Sequence, residues 1–441
     1  MRVAVWALAN RLGVVAGTPA ELLSAVLAGH RRPGPVELPD CPGAAELARE
    51  LAPLLPVELV QPPEPSGPPG AGPDRPAGGT GAGPVALGDP VAVCAADPLR
   101  VTAGYESGAA GHGGLRRAWL RAGQALVREG APADRALILL TALPGDAHPE
   151  VRAALAALAV GTAWRAAPTE PRGAVALAAH RDLLLAADRS GMADGPGGAL
   201  ATGTRPRALA AAPDGTPLLL DERGRLHSAG GPADRLVRAV AATLERHPGT
   251  ALATAGPTVL VGDRTGSVHA FGLGGVEQTA AHSGRVTALT AMPGTSGARS
   301  VVYSGGADGT VRGWVPGRSA RPRPLASRPC PVVALGAGGG LLAVAWGDGL
   351  VELRRAGAGS AMDTRTDPDT VDSGAKAADP DTVGTGAKAA DAGGADTDAA
   401  RTLSFRPGVP VRAVAVAGGG TLVIGTDETL IRLRPARSAG D

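Results

Sequence analysis

A turn-forming glycine recurs through the second half of this chain at a nearly fixed interval, and that period constrains the fold more than any other feature. Gly224, Gly266, Gly309 and Gly349 are separated by 42, 43 and 40 residues, and a further turn placed at Glu428 follows after 79. On either side of these turns lie short apolar-alternating runs, 258–262 with 267–271, 341–345 with 350–354 and 421–425 with 429–433. Alternation of this kind marks half-buried strands. A self-similar unit of about 40–45 residues matches one four-stranded sheet in a repeated array. The long interval has a visible cause. Between Gly359 and Ala400 the chain turns to Asp, Thr, Gly and Ala and carries a tandem copy, 367–378 followed by 379–390. Removing 359–400 restores the period, so this segment is expected to be a disordered acidic loop between the third and fourth strands of one unit. The only lysines, Lys376 and Lys388, lie in it.

The clearest unit runs from His282 to Trp314. His282-Ser-Gly-Arg-Val-Thr-Ala-Leu289 leads through a loop into Val301-Val-Tyr-Ser-Gly-Gly-Ala-Asp-Gly-Thr-Val-Arg-Gly-Trp314, two strands joined at the Asp308-Gly309 turn. An imidazole at His282 can reach the Ser304 hydroxyl and the Asp308 carboxylate, with the Trp314 indole N–H completing a structural hydrogen-bond network. This stretch resembles one blade of a WD-repeat β-propeller. It departs from that family at Gly313 and Val315, which flank the tryptophan. The resemblance implies a mainly β fold with a C-terminal propeller, whose members mostly hold other macromolecules and do no chemistry.

Six blades are recognisable, with turns near 191, 224, 266, 309, 349 and 428, and a seventh is left open. First strands lining the axis are read at 251–255, 286–291, 332–336 and 411–416, with two fainter blades over 174–187 and 207–220. Residues 233–247 have helical spacing and are expected to replace or follow an outer strand. The chain has no fourth strand after Leu433, so 161–165 is the candidate to close the ring and remove free sheet edges.

Upstream, 1–60 reads as a small α/β or helical fragment, with helices at 19–28 and 43–55 and short strands at 36–38 and 57–60. Residues 61–86 form a Pro/Gly-rich linker. Residues 87–160 read as a helical module of three helices, 114–128, 134–143 and 149–159, and the propeller takes 161–441. Leu115, Trp119, Ala122 and Leu126 share one helical face, and Pro149 suits a first helical position. Helices before a propeller resemble bacterial signalling proteins that couple a nucleotide switch to a repeat sensor. The phosphate loop G-x-x-x-x-G-K-[ST] is absent.

Composition narrows the function. Formal net charge is +2 over 441 residues with signs interspersed, which gives no basic stripe for nucleic acid. Abundant Ala, Gly, Pro and Arg with two lysines and one asparagine fits a GC-rich bacterial coding sequence. No apolar run suits a signal peptide or a membrane span, so a cytoplasmic monomer is expected. Cys41, Cys94 and Cys330 are odd in number and lack a C-x-x-C pair, so neither zinc nor disulfides are indicated.

No G-x-S-x-G elbow or H-E-x-x-H helix is present. His112-Gly113-Gly114 reads as glycine at a helix start, and Asp367, Asp369 and Asp372 lack the glutamate a calcium loop needs. Propeller hydrolases resemble one another in placing Glu, Asn and Asp around an axial cation, but the sole asparagine here is Asn10 and the channel strands carry almost no carboxylates. The reading is therefore a non-enzymatic scaffold for a partner protein, with no catalytic residue, cofactor or metal. Arg264, Arg285, Trp346 and Asp348 are the candidate partner-binding residues, because Arg and Trp dominate buried interfaces. The alternatives are a small-molecule or ion-binding sensor propeller, or the regulatory half of a signalling system that has lost its nucleotide-binding domain.

Overall fold

The structure is a computed structural model that describes residues 1–28, 36–37, 41, 43–54, 59–60, 84–181, 183–195, 198–201, 203–228, 235–294, 299–317, 322–356 and 402–436. Most of the 61–86 linker and the whole 359–400 insertion lie outside the described residues.

Six antiparallel sheets follow one another along the chain, and their first strands surround a common axis. Those strands are Ala176–His180, Pro206–Ala211, Ala251–Ala255, Val286–Met292, Val332–Gly338 and Ala413–Ala417. One layer shows the repeat directly. Leu177, Leu209, Leu252, Leu289, Leu335 and Val414 occupy the same register position, opposite Ala186, Leu219, Val261, Ser304, Val344 and Ile424. This belt of similar side chains at one height packs between successive blades around the narrow axis.

Five of the sheets have four strands, and the second has three. The sequence led us to expect six or seven blades; five are complete. In blade 2 the helix Arg235–Arg246 stands where an outer strand would lie and buries Val237, Val240 and Leu244 against Leu218, Leu220, Val261 and Phe271. Its apolar positions recur at helical spacing, which is incompatible with a strand. Blade 6 takes its fourth strand from far upstream. Trp164–Ala166 pairs antiparallel with Leu430–Pro435, with Leu433 opposite Ala166 and Pro435 opposite Trp164.

The periodic glycine has a physical cause. Gly224, Gly266, Gly309 and Gly349 have φ of 82°, 100°, 74° and 79°, a region L side chains rarely adopt. At Gly266 and Gly309 the carbonyls of His282 and Arg328 also fill the space a Cβ would need. The loops entering blades 3, 4 and 5 are thus seated on the preceding blade's turn, by Gly249 N–H to Gly224 O at 3.0 Å, His282 N–H to Gly266 O at 2.9 Å and Arg328 N–H to Gly309 O at 2.9 Å. The sixth turn differs. It closes from Thr426 N–H to Thr429 O, one residue shorter than Asp263 N–H to Ser267 O. Glu428 therefore does not hold the glycine position that the spacing assigned to it.

The N-terminal third is helical. Leu115–Leu126, Pro132–Ala142 and Pro149–Leu158 correspond to the three expected helices, and Pro90–Ala95 and Pro98–Ser107 precede them. Asp89 and Asp97 cap these two, accepting from the amides of Val91 at 2.9 Å and Leu99 at 3.3 Å, with proline at the first helical position. A further helix, Arg2–Leu12, buries Val3, Ala4, Val5, Trp6, Leu8 and Ala9. The pair 36–37 and 59–60 forms a minimal parallel ladder.

The Arg2–Leu12 helix is fixed to Leu115–Leu126. The Trp6 ring occupies the space beside Gly123 where a Cβ would project. Gln124, 4% exposed, donates to Val14 O at 2.7 Å and Asn10 Oδ1 at 3.1 Å and accepts from Ala16 N–H at 2.9 Å. Trp119 is fully buried and donates to Thr102 Oγ1 at 2.9 Å. One apolar cluster then continues from the helices through Trp164 into Phe405, Val411 and Leu433 of blades 5 and 6. No helix among the described residues is long and apolar enough to cross a membrane.

Gly123→Ala forces a methyl group into the Trp6 ring and should lower unfolding stability by about 1–3 kcal/mol. Gly130→Ala, with open space around it, is the control. Urea denaturation of both variants checks this.

Candidate interaction surface

The incoming loops and the inter-strand turns crowd one face of the ring, and that face is built by polar locks. In blade 4, His282 has no exposed side-chain surface. Its Nδ1 lies 3.1 Å from Asp308 Oδ1 and 3.1 Å from Thr310 Oγ1, and its Nε2 lies 2.8 Å from Ser304 Oγ. A carboxylate only accepts, so Nδ1 carries the proton and Nε2 accepts from the Ser304 hydroxyl. Burial pushes the imidazole pKa down, against the pull of Asp308, and Arg312 adds to the lowering. The histidine is thereby held neutral. Asp308 also accepts from Thr310 N–H at 3.0 Å, which closes the turn.

The structure brings together His282, Ser304 and Asp308 from the expected network and adds Thr310, but it leaves Trp314 out. Trp314 faces Val302, one cross-strand step beyond Ser304 and Arg312, and packs with Val268, Leu289 and Val302. Among the described residues no hydrogen bond joins its indole to Ser304. Ser304 instead spends its hydroxyl on the imidazole.

Blade 5 uses the same positions with different chemistry. Arg328 stands four residues before Val332, as His282 does before Val286, and reaches Asp348 Oδ2 at 2.7 Å. Arg406 meets the same oxygen at 3.0 Å and the Asp348 carbonyl at 2.7 Å. Burial alone would raise the Asp348 pKa, but Arg406 and Arg328 hold it below the usual carboxylate range. Arg328 also lies 5.7 Å from the Trp346 ring, whose N–H donates to Glu352 Oε2 at 3.1 Å.

Two candidate partner-binding residues are therefore internal. Trp346 is 1% exposed and Asp348 is 7% exposed, so neither is free to meet a partner. The D-G turn made Asp348 look exposed, but the arginine loops fold over it. Arg264 does lie on the face and is exposed, and Arg285 is half-buried beside it.

A second lock was missed in the sequence although its spacing is regular. Asp221 and Asp263 each accept two turn amides through Oδ1 and pair through Oδ2 with a histidine six residues on, His227 at 2.9 Å and His269 at 3.0 Å. Trp346 and Glu352 occupy the same two positions in blade 5. An Asp-x-x-Gly-x-x-His pattern, legible at 221–227 and 263–269, was the available signal.

The axis offers no comparable chemistry. Its narrow cavity, 70 Å³, is lined by Leu, Ala, Gly and Val with Thr254 and Thr290 as the only polar side chains. Among the described residues no group of three or more His, Cys, Asp or Glu side chains could hold a metal. Cys94 and Cys330 are buried thiols outside any disulfide, and burial pushes the Cys94 thiol up to about 12. His112 stands on a 3-10 turn with its ring 5.6 Å from Tyr105, while Gly113 and Gly114 pack closely against the segment around His148 and Ala147. That is the glycine-at-helix-start arrangement. A separate cavity of 320 Å³ lies at the seam between helices and propeller, bordered by Glu129, Asp134, Trp164, Leu350, Phe405 and Arg406.

No family model matches the sequence, and no curated protein matches it. The chain is similar in structure to the computationally designed Ika8 protein (14% identity, 60% of this chain and 71% of that one, TM-score 0.34). It is similar also to U3-55K (12% identity, 63% and 99%, TM-score 0.35) and to the RRP9 WD40 repeats (12% identity, 62% and 98%, TM-score 0.35).

His282 links the lock to pH. Its folded pKa lies below the unfolded value, so the unfolded chain takes up a proton more readily and stability falls as pH drops below about 6.5. The lowered Asp308 and Asp348 contribute stability above about pH 4 that is lost on further acidification. His282→Gln should flatten the first decline and leave the part of the second that comes from Asp348, as read by Tm across pH 2–7. Asp348→Ala leaves Arg406, with a side chain 10% exposed, without its counter-charge and should cost about 3 kcal/mol by urea denaturation.

Proposed function

We propose that the protein is a cytoplasmic, non-enzymatic scaffold that presents the turn face of blades 2 to 4 to a partner protein. The carrying observation is how unequally that face is covered. Over blades 5 and 6 it is taken up by the chain's own helices. Val15 lies against Gly349, the Ala122 backbone packs on Gly408 at φ 76°, and Arg121 reaches Thr429 Oγ1 at 3.2 Å and Glu428 at 3.3 Å. Over blades 2 to 4, Arg205, Arg223, Arg225 and Arg264 remain exposed. A rigid ring holding a charged, uncovered sector beside a sector already used for docking helices suits recognition rather than turnover.

A second reading, a propeller that senses a small molecule, is favoured by the 320 Å³ seam cavity, which combines aromatic walls with two carboxylates. Site-specific photocrosslinking in the native host separates the two. A benzoylphenylalanine placed at Arg264 should give adducts with a second protein. The same group at Val276, exposed on the opposite face, should give none. Absence of protein adducts at both positions, with a metabolite extract raising the Tm, would replace the scaffold by the sensor.

A further inference from the structure

The arginines of the turn face exist in two states. On blades 5, 6 and 1 each has a carboxylate. Arg328 and Arg406 share Asp348, Arg412 makes a two-pronged pair with Asp427 at 2.9 and 2.8 Å, and Arg189 meets Asp427 at 2.6 Å. On blades 2 to 4 the pattern reverses. Arg207, Arg264 and Arg285 make no ion pair or side-chain hydrogen bond among the described residues.

Comparable positions make the contrast sharper. Arg285 and Arg412 each immediately precede an inner strand, at Val286 and Ala413. Arg412 has Asp427, whereas the aspartate in the blade 4 turn, Asp308, is already committed to His282. Arg207 sits at a register shift between Pro206 and Ala208, where the inner strand of blade 2 bulges. A bulge re-aims the side chain of its extra residue. The corresponding bulge in blade 4 carries Thr287, whose hydroxyl simply donates to Gly305 O at 3.0 Å. Arg207 has no such local acceptor and is half-buried.

These three arginines stand at the turn-face ends of neighbouring blades, and Val286 N–H to Asp263 O at 3.0 Å seats Arg285 beside the turn that holds Arg264. Burial, then the charges of Arg285 and Arg264, push the Arg207 pKa down, with Asp221 and Glu222 opposing. Asp221 is occupied by His227 and the Arg223 and Arg225 amides, and Asp263 by His269 and the Thr265 and Ser267 amides. Glu222 is the one exposed carboxylate left. Like charges brought together without a counter-ion destabilise a surface, and an incoming anion relieves them.

Building on the docking role argued above, we propose that Arg207, Arg264 and Arg285 form a binding site for a short carboxylate-rich segment of a partner protein. Guanidinium forks match carboxylates in a planar two-pronged geometry, and a segment spanning three neighbouring blades meets all three. A nucleic acid fits less well. Its phosphates follow one another without a break, and the same turns hold Asp221, Glu222, Asp263 and Asp308 between the arginines. A peptide can place neutral residues opposite those carboxylates. The chain's own aspartate-rich stretch, 359–400, is a poorer occupant because the strand Val351–Arg355 leads into it from the opposite face.

Fluorescence anisotropy with a fluorescein-labelled alternating Glu-Gly peptide and the full chain tests the site. Binding should weaken about tenfold or more in the Arg207→Ala/Arg264→Ala/Arg285→Ala variant, with unchanged Tm, and should weaken for both as salt rises. Arg323→Ala/Arg355→Ala, exposed positions on the opposite face, should bind as the parent does. Equal binding by the triple variant overturns the assignment. So does tighter binding of a labelled dT oligonucleotide than of the peptide, or a gain of tenfold or more on deleting 359–400, which would make that stretch the occupant. Protein adducts at position 264 without peptide binding would leave the docking face standing and remove only its acidic chemistry.

Discussion

The middle of the propeller depends on one close approach: the carbonyls of the loops entering blades 3, 4 and 5 lie against the turns of the blades before them. At Gly266 and Gly309 the left-handed backbone and the missing side chain let His282 and Arg328 settle within hydrogen-bond reach of the turn carbonyl. This contact sets blade spacing, fixes where the loop side chains point and thereby aims His282 at Asp308 and Arg328 at Asp348. Sheets that would each expose an edge become a closed ring once Trp164–Ala166 is zipped onto Leu430–Pro435. An L side chain at Gly266 or Gly309 would break the seating first and the polar lock with it.

Given that seating, each blade solves the same electrostatic problem with different residues. The turn leaves amides to be satisfied and a carboxylate to be neutralised. Blades 2 and 3 use an aspartate at the first turn position with a histidine across the hairpin. Blade 4 uses a third-position aspartate with a neutral, buried histidine. Blade 5 uses the same aspartate with two arginines, and blade 6 joins the hydroxyls of Thr426 and Thr429, 2.9 Å apart, while its Asp427 takes Arg412 and Arg189. Low local dielectric makes each of these worth keeping satisfied. The variety explains why the WD-like residues are visible only in one blade while the period persists in all.

What could be read from the sequence follows from the same distinction. The turn glycines were legible because their conformation admits few substitutes, and the closing strand was legible because an unpaired edge requires one. The helix Arg235–Arg246 declared itself by its spacing. Besides the Asp-x-x-Gly-x-x-His lock, three features escaped. Arg2–Leu12 is buried around most of its circumference against other helices, so it lacks an amphipathic stripe. The Pro90–Ala95 and Pro98–Ser107 helices are short, and the signal that marked them was Asp-Pro capping rather than periodicity. Trp346 and Asp348 looked exposed because turns usually are. Asp348 is covered by Arg328 and Arg406, 20 and 58 residues distant, and Trp346 packs with Tyr303, Val311 and Val332; no local pattern carries either.

The charge pattern of the face then has a structural explanation. Formal charge is close to balanced over the whole chain, but it is not balanced locally. Where the helices cover blades 5 and 6, Arg406 is nearly buried, and a buried charge without a partner is costly, so a carboxylate is needed there. Arg328, Arg406, Arg412 and Arg121 accordingly all have one. Over blades 2 to 4 water screens the charges, so the fold imposes no such requirement and stability alone would be served equally by neutral residues. Arginine at a bulge beside two further arginines is therefore not explained by the needs of the ring. It gathers guanidinium groups without ion-pair partners on a sector of the face that the helices over blades 5 and 6 leave uncovered, where they are open to groups approaching from solution.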